Sequence, residues 1–341
     1  MKKICVIGSL NTDLVAVIDC FPKPGETITG REFGIYAGGK GANQAVALGK
    51  LGTNVRMIGK LGDDLYGRKY METLKNNGVD TSGIGIEPAV SSGVALIEVE
   101  STGENRIIII PGANGMVDCG FIDSELELML ECDIFLLQLE IPVETVAYAI
   151  KILKNNGKTV ILDPAPAAKL PDDIFPFIDY ITPNETELEA LTGIRTENET
   201  DIKAAASYLL AKGVGTVIAK VGKRGAFIID NREFLYSPVF DVKVIDTTAA
   251  GDSFNAGFAY ALAEGHNLAE CVVFANATAA SLSTTAKGAQ GAMPTHTGAG
   301  QFPDGPLISE QSFSIPASIL SVCTAAKLRR MLFKVREGFP L

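Results

Sequence analysis

The feature that most limits what this chain can fold into is the regular exchange of short apolar runs with helix-patterned stretches. Residues 3–9, K-I-C-V-I-G-S, form an apolar run that stops at glycine, as a buried strand does. Similar runs recur at 55–60, 133–139, 158–163 and 215–220. Between them, 64–77, 142–156 and 201–212 carry the helical period. Strands joined through helices lie parallel, so the chain is expected to build an α/β fold: a mostly parallel central sheet with helices on both faces. Such a sheet takes its ligands beyond the carboxyl ends of its strands.

Two stretches depart from this rhythm. Residues 14–18 and 27–36 read as short strands around a Pro/Gly break, and 93–100 with 105–111 read as a hairpin about Ser101-Thr102-Gly103. Strands set apart in this way make a small second sheet, either a lid over a site or an edge extension that contacts another copy. The other departure runs from 239 to 263. An apolar, strand-like run at 239–245 leads into D-T-T-A-A-G-D at 246–252, and an Ala-rich helical pattern follows from 254. A further Ala-rich helix is expected at 268–282.

The transition at 246–252 is where chemistry is expected. The first N–H groups of a helix lack partners and can hold an anion. Asp252 sits in that first turn and is either a helix cap or a general base beside the anion. Asn11 and Asp13 follow the first strand and can bind vicinal hydroxyls or form an Asx turn. Residues 34–41 approach a P-loop, but Gly41 stands where Ser or Thr is required. Gly39 and Gly41 instead suggest that another molecule's hydroxyls come close to the backbone, with Lys40 and Asn43 in reach. Glu140 and Asp163 lie at strand ends. Asn184 and Glu187 have the spacing of a capping box, which competes with metal or water coordination. Residues 221–226 hold two cations between glycines and suit either a polyphosphate or a plain hairpin turn.

Composition removes other classes. A net charge of −10 over 341 residues argues against nucleic acid. The six cysteines (5, 20, 119, 132, 271 and 323) include no C-x-x-C pair, which fits a reduced cytoplasmic protein without a zinc site. No signal peptide is evident and no apolar run reaches ~18 residues, so no membrane association is expected. The two histidines, His266 and His296, lie far from every Gly-rich motif, which leaves a carboxylate as the expected base.

Taken in order, N-T-D at 11–13, G-G-K-G-A-N-Q at 38–44, T-P-N-E-T-E at 182–187, G-K-R-G at 222–225, D-T-T-A-A-G-D at 246–252 and K-G-A-Q at 287–290 resemble the ribokinase-like, phosphofructokinase-B superfamily of carbohydrate kinases. The match spans residues 3–295. It implies an ATP-dependent sugar kinase, with ribose as the expected acceptor and deoxyribose, fructose or a nucleoside as alternatives. A sensor that binds without turnover is a further alternative, opposed by the intact Asp252. By position, Asn11, Thr12, Asp13, Gly39, Lys40, Gly41, Ala42, Asn43 and Glu140 would hold the sugar. Asn184, Lys220, Val221, Gly222, Lys223, Arg224, Gly225, Gly251 and Asn276 would hold ATP. Asp252 would be the base, with Ala249, Ala250 and Gly251 completing the anion hole.

The same resemblance implies Mg2+ held through water by Glu187 with Asn184, and an activating K+ near the anion turn. Asp246 and Thr248 match one half of the potassium site, and Ser283, Ala286, Gly288 and Ala292 are expected to supply the other. The stretch from Asn276 to Gly288 runs longer than the family pattern. A homodimer through the β lid is also implied. The kinase domain is expected over 1–295, with the lid drawn from about 14–36 and 93–111. Residues 296–341 form an atypical extension, with a Gly/Pro-rich linker and an apolar-basic stretch, for which no motif is found.

Overall fold

The alternation folds as expected, and β1 (Ile4–Ile7) shows how. All four of its residues are buried, with Ile4 and Val6 in one core and Cys5 and Ile7 in another. A strand that is apolar on both faces must be covered on both faces. A computed structural model of the chain describes residues 1–283. In chain order, β2 (Asn11–Ile18), β3 (Glu32–Gly38), α1 (Lys40–Lys50), β4 (Val55–Gly62), α2 (Leu65–Asn76), β5 (Val79–Glu87), β6 (Gly93–Glu100) and β7 (Asn105–Ile110) follow. Next come α3 (Cys119–Ser124), α4 (Leu126–Leu130), β8 (Ile134–Leu137), α5 (Val143–Asn155), β9 (Thr159–Leu162), β10 (Tyr180–Ile181), α6 (Glu185–Thr192) and α7 (Glu199–Ala211). The rest are β11 (Thr216–Lys220), β12 (Ala226–Ile229), β13 (Phe234–Ser237), α8 (Ala250–Ala263) and α9 (Leu268–Ser283).

The main sheet has nine strands in the order β13-β12-β11-β10-β9-β8-β1-β4-β5. It is parallel from β5 to β11 and ends in the antiparallel β12 and β13. From β1 the chain moves outward through β4 and β5, then returns to the opposite side of β1 as β8. The crevice between β1 and β8 is therefore the switch point at which such sheets bind ligands. Helices α1, α8 and α9 pack in the core layer that contains Ile4 and Val6. The other layer is built around α5, α6 and α7.

The second sheet has the order β3-β2-β6-β7. It begins at Asn11 and reaches Gly38, so it is longer at both ends than the expected 14–36 and carries Asn11 and Asp13 on its own strand. Its cross-strand register places Ile35, Leu14, Leu96 and Ile108 in one row on the face opposite Asp13.

One expectation needs correction, and one strand is additional to those expected. Residues 239–245 form no strand. Pro238 supplies no N–H to continue the ladder after Ser237, and the Ile245 N–H goes to the Ser283 carbonyl instead. Val244 and Ile245 are consequently exposed. Conversely, β5 was not expected, because Gly83 and Gly85 break its apolar pattern. A Cβ at Gly83 would lie 2.2 Å from Ile58, so the glycine lets β5 pack beside β4.

Candidate active site

The site gathers at the carboxyl ends of β1 and β8. Helix α1 starts there under unusual constraint. Gly39 has φ of 86°, and a Cβ on it would lie 2.7 Å from the Asn11 nitrogen. A Cβ on Gly41 would lie 2.7 Å from the Ser9 nitrogen. At both positions glycine therefore has a structural duty of its own, admitting the chain's own backbone. Glu140, just past β8, accepts from the Lys40 N–H at 2.9 Å and from the Ser9 hydroxyl, which seats the helix start on the switch point.

On the lid side, Asn11 is buried, and its side-chain oxygen accepts from Asn114 Nδ2 at 2.8 Å. Asn114 also accepts from the Leu10 N–H at 2.9 Å, a fixing role that no motif signalled. The Asp13 carboxylate lies over Gly38, where a Cβ would be 2.2 Å from its oxygen. Burial, with the nearby Glu140 adding to it, pushes Asp13 up to about 7.

Asp252 occupies the first turn of α8, yet it does not cap that helix. The N-cap is Ala249, in the left-handed region at φ 60°, with no side-chain cap bond. A non-glycine residue there costs of order 1 kcal/mol, and such strain collects at functional turns. The Asp252 oxygens are taken from across the site, by Asn43 Nδ2 at 2.9 Å and Gln44 Nε2 at 3.2 Å. Asp252 is 4% exposed. Burial pushes its carboxyl up to about 6, a rise that Lys40 opposes and Asp163 reinforces, while Asn43 and Gln44 oppose it. Burial also disfavours charge on Lys40, but Asp252, Asp163, Glu140 and Glu187 outweigh that and hold its ammonium above the ordinary lysine range. Asn43 Oδ1 is buried without a partner among the described residues, an acceptor free for a hydroxyl.

The anion turn is open above Gly251: a Cβ there would meet only Lys220 Nζ, at 3.8 Å. Lys220 is paired with Asp163 at 2.9 Å, and its backbone bridges to Asn184. The end of β11 and the start of α6 thus lie side by side, with Lys220 Nζ facing the turn. Gly222–Arg224 make a short 3-10 turn, exposed, with Arg224 paired to Glu185. A Cβ at Gly225 would lie 2.2 Å from the Ser237 oxygen, so that glycine serves the hairpin, and Val221 is buried. Asn276 spends its amide on Ser237 and Pro238, which leaves its carbonyl for a ligand.

Among the described residues no group of three or more acidic, cysteine or histidine side chains is placed to hold a metal. Asn184 and Glu187 do form the reciprocal capping box. Both Glu187 oxygens accept from Asn184, and each keeps a lone pair, which suits contact with a hydrated ion better than direct ligation. Burial raises the Glu187 carboxyl against the pull of Lys220. For potassium the donor set fits in part. Asp246 accepts from the Thr248 N–H at 2.8 Å. Ser283 adjoins this loop, but its carbonyl already accepts from Ile245 at 2.8 Å and Asp246 at 3.3 Å. Ala286, Gly288 and Ala292 lie outside the described residues.

A family model described as pfkB family carbohydrate kinase matches residues 1–296. The chain is 41% identical over 294 residues to a ribokinase of Haemophilus influenzae, covering 86% of this chain and 96% of that protein. It is 39% identical over 293 residues to a deoxyribokinase of Salmonella typhi, covering 86% and 95% respectively. The solved structure of an Arabidopsis thaliana ribokinase complexed with ribose and ATP matches with a TM-score of 0.83 at 36% identity, over 86% of this chain and 96% of that one.

Proposed function

The chain belongs to the pfkB family of carbohydrate kinases, and on that premise we propose that it transfers the terminal phosphoryl group of ATP to the 5-hydroxyl of D-ribose. The observation that carries the mechanism is the setting of Asp252: a buried carboxylate at an anion-binding turn, held by α1 side chains and free of any capping duty. Asn11 and Asp13 from the lid, Lys40 and Asn43 from α1, and Glu140 beyond β8 bracket the space in which the sugar lies, with Thr12 and the backbone of 39–42 beside it.

Asp252 takes the proton of the 5-hydroxyl as that oxygen attacks the terminal phosphorus in line. First-turn N–H groups of Ala249, Gly251 and Asp252 hold the charge on the transferring oxygens, with Lys220 beside them, whereas the Ala250 N–H already donates to the Thr247 carbonyl at 3.0 Å. The nucleotide lies along Asn184 and residues 220–225, toward Asn276. Magnesium, when bound, neutralises the nucleotide phosphates, and Glu187 with Asn184 would hold it through water. Potassium would sit by Asp246 and Thr248 and stiffen the loop that leads into the turn.

The uncovered apolar row on the lid supports a homodimer through that face. Ile35, at 44% exposure, and Ile108, at 62%, leave it in contact with water in the single chain. The described cysteines are all unpaired, which supports a reducing, cytoplasmic setting. Among the described residues no helix is long and apolar enough to cross a membrane.

A coupled ADP-release assay over a sugar panel tests the acceptor. D-ribose is expected to be best, and a clear preference for fructose or adenosine would overturn the ribose reading. The likeness to a deoxyribokinase makes 2-deoxyribose the second reading, and the ratio of kcat/KM for the two pentoses decides between them.

A further inference from the structure

Behind Asp252 lies a row of buried amides that touches neither substrate in the reading above, on which the following rests. Gln44 is fully buried, and one group, Nε2, serves two carboxylates: Asp163 Oδ2 at 3.1 Å and Asp252 Oδ1 at 3.2 Å. Its own Oε1 accepts from Gln138 Nε2 at 2.7 Å. The direction of the Gln44 amide is forced. Reversed, it would turn a carbonyl oxygen onto two carboxylates. Asp163 is fixed in turn, since its other oxygen holds Lys220 at 2.9 Å. Space for Gln138 depends on Gly8, where a Cβ would lie 2.0 Å from Gln138 Oε1.

Asn43 and Gln44 each pin one oxygen of Asp252, but they differ in a consequential way. Asn43 is a sugar contact, so its bond to Asp252 is shared with the incoming hydroxyls. Gln44 has no such second claim, and its bond persists when the sugar arrives. We propose that Gln44, oriented by Gln138, is a positioning residue that fixes the Asp252 carboxylate at the attack angle throughout the catalytic cycle. It acts through Asp252 and not on the substrate. Its removal should therefore lower turnover and leave both Michaelis constants alone.

The test compares Gln44→Met, Gln138→Met and the double variant, all as the full chain, in steady-state kinetics with ribose and ATP. Gln44→Met is expected to lose about 10- to 100-fold in kcat, the scale of a small misplacement of a reacting group, with each KM within about twofold of the parent. Gln138→Met should lose less, because a freed Gln44 still finds Asp252 part of the time. The double variant should be no worse than Gln44→Met, since Gln138 acts only through Gln44. Multiplying losses, a parental kcat in Gln44→Met, or an effect confined to KM each overturn the proposal. If Gln44→Met does not fold, a parental kcat in Gln138→Met overturns it alone. Asp252→Asn is measured alongside. Parental turnover there would remove the base and this proposal with it, whereas an inactive Asp252→Asn beside an active Gln44→Met removes the proposal and leaves the base.

Discussion

At the scale of the residue, the competing readings of Asp252 separate on one fact: its carboxylate is bonded to α1 and its own helix is capped without it. Asp252→Asn is expected to cost at least about a hundredfold in turnover, within the range of a general base. The fold should accept the change. Asn43 can flip its partnerless Oδ1 toward the new amide, and Gln44 can still donate to the remaining oxygen. The variant should also gain stability relative to the parent above about pH 6. Burial raises Asp252 from 3.8 to about 6, so its contribution to stability is fully present below pH ~3.8 and lost as pH rises through about 6. Melting temperatures from about pH 4 to 6.5 should fall with rising pH for the parent and fall less for Asp252→Asn; identical slopes would refute the assignment. In kinetics, protonating Asp13 near pH 7 removes an acceptor for sugar hydroxyls, and protonating Asp252 near pH 6 removes the base. Acid should therefore depress kcat/KM for ribose from about pH 7 downward, more steeply below about 6, and Asp13→Asn should erase the upper break. The motifs made Asp252, Asp13 and Lys40 legible because their chemistry sits inside short, ordered signatures. Gln138, Asn114 and Gly8 were not, since each acts through a contact with a residue distant in sequence.

At the scale of the element, the β–α rhythm predicted the main sheet because a strand buried on both faces has little choice of composition. It overreached at 239–245, where apolar residues belong to a loop latched onto the end of α9. That latch bears on potassium. Exchanging K+ for a bulky organic cation at constant ionic strength should lower kcat if the ion stiffens the loop at Asp246; equal rates would dismiss the ion. The lid invites a separate test. Ile108 lies in the apolar row formed with Ile35, Leu14 and Leu96, opposite the face of Asp13. Ile108→Asp is expected to convert a dimer into a monomer in sedimentation or light scattering, without unfolding the main sheet. A parent that is already monomeric at micromolar concentration, or a variant that still dimerises, would count against the lid as interface.

At the scale of the whole molecule, no described site residue lies beyond Ser283, and the family match ends at 296. A chain stopped after Gly300 should therefore keep a cooperative melt and bind ATP and ribose like the parent; loss of the cooperative transition would assign the remaining residues to the core. The site itself is dispersed along the chain. Gln44 and Asp252 meet across 208 positions, and Asp252 comes after every described residue proposed here to hold the sugar. During synthesis, then, the residues that face the sugar are all made before the group that drives transfer. An interrupted chain has sugar-facing residues but no base with which to spend nucleotide. The order of residues along the polypeptide works as a safety catch, released only when the penultimate described helix closes against the first.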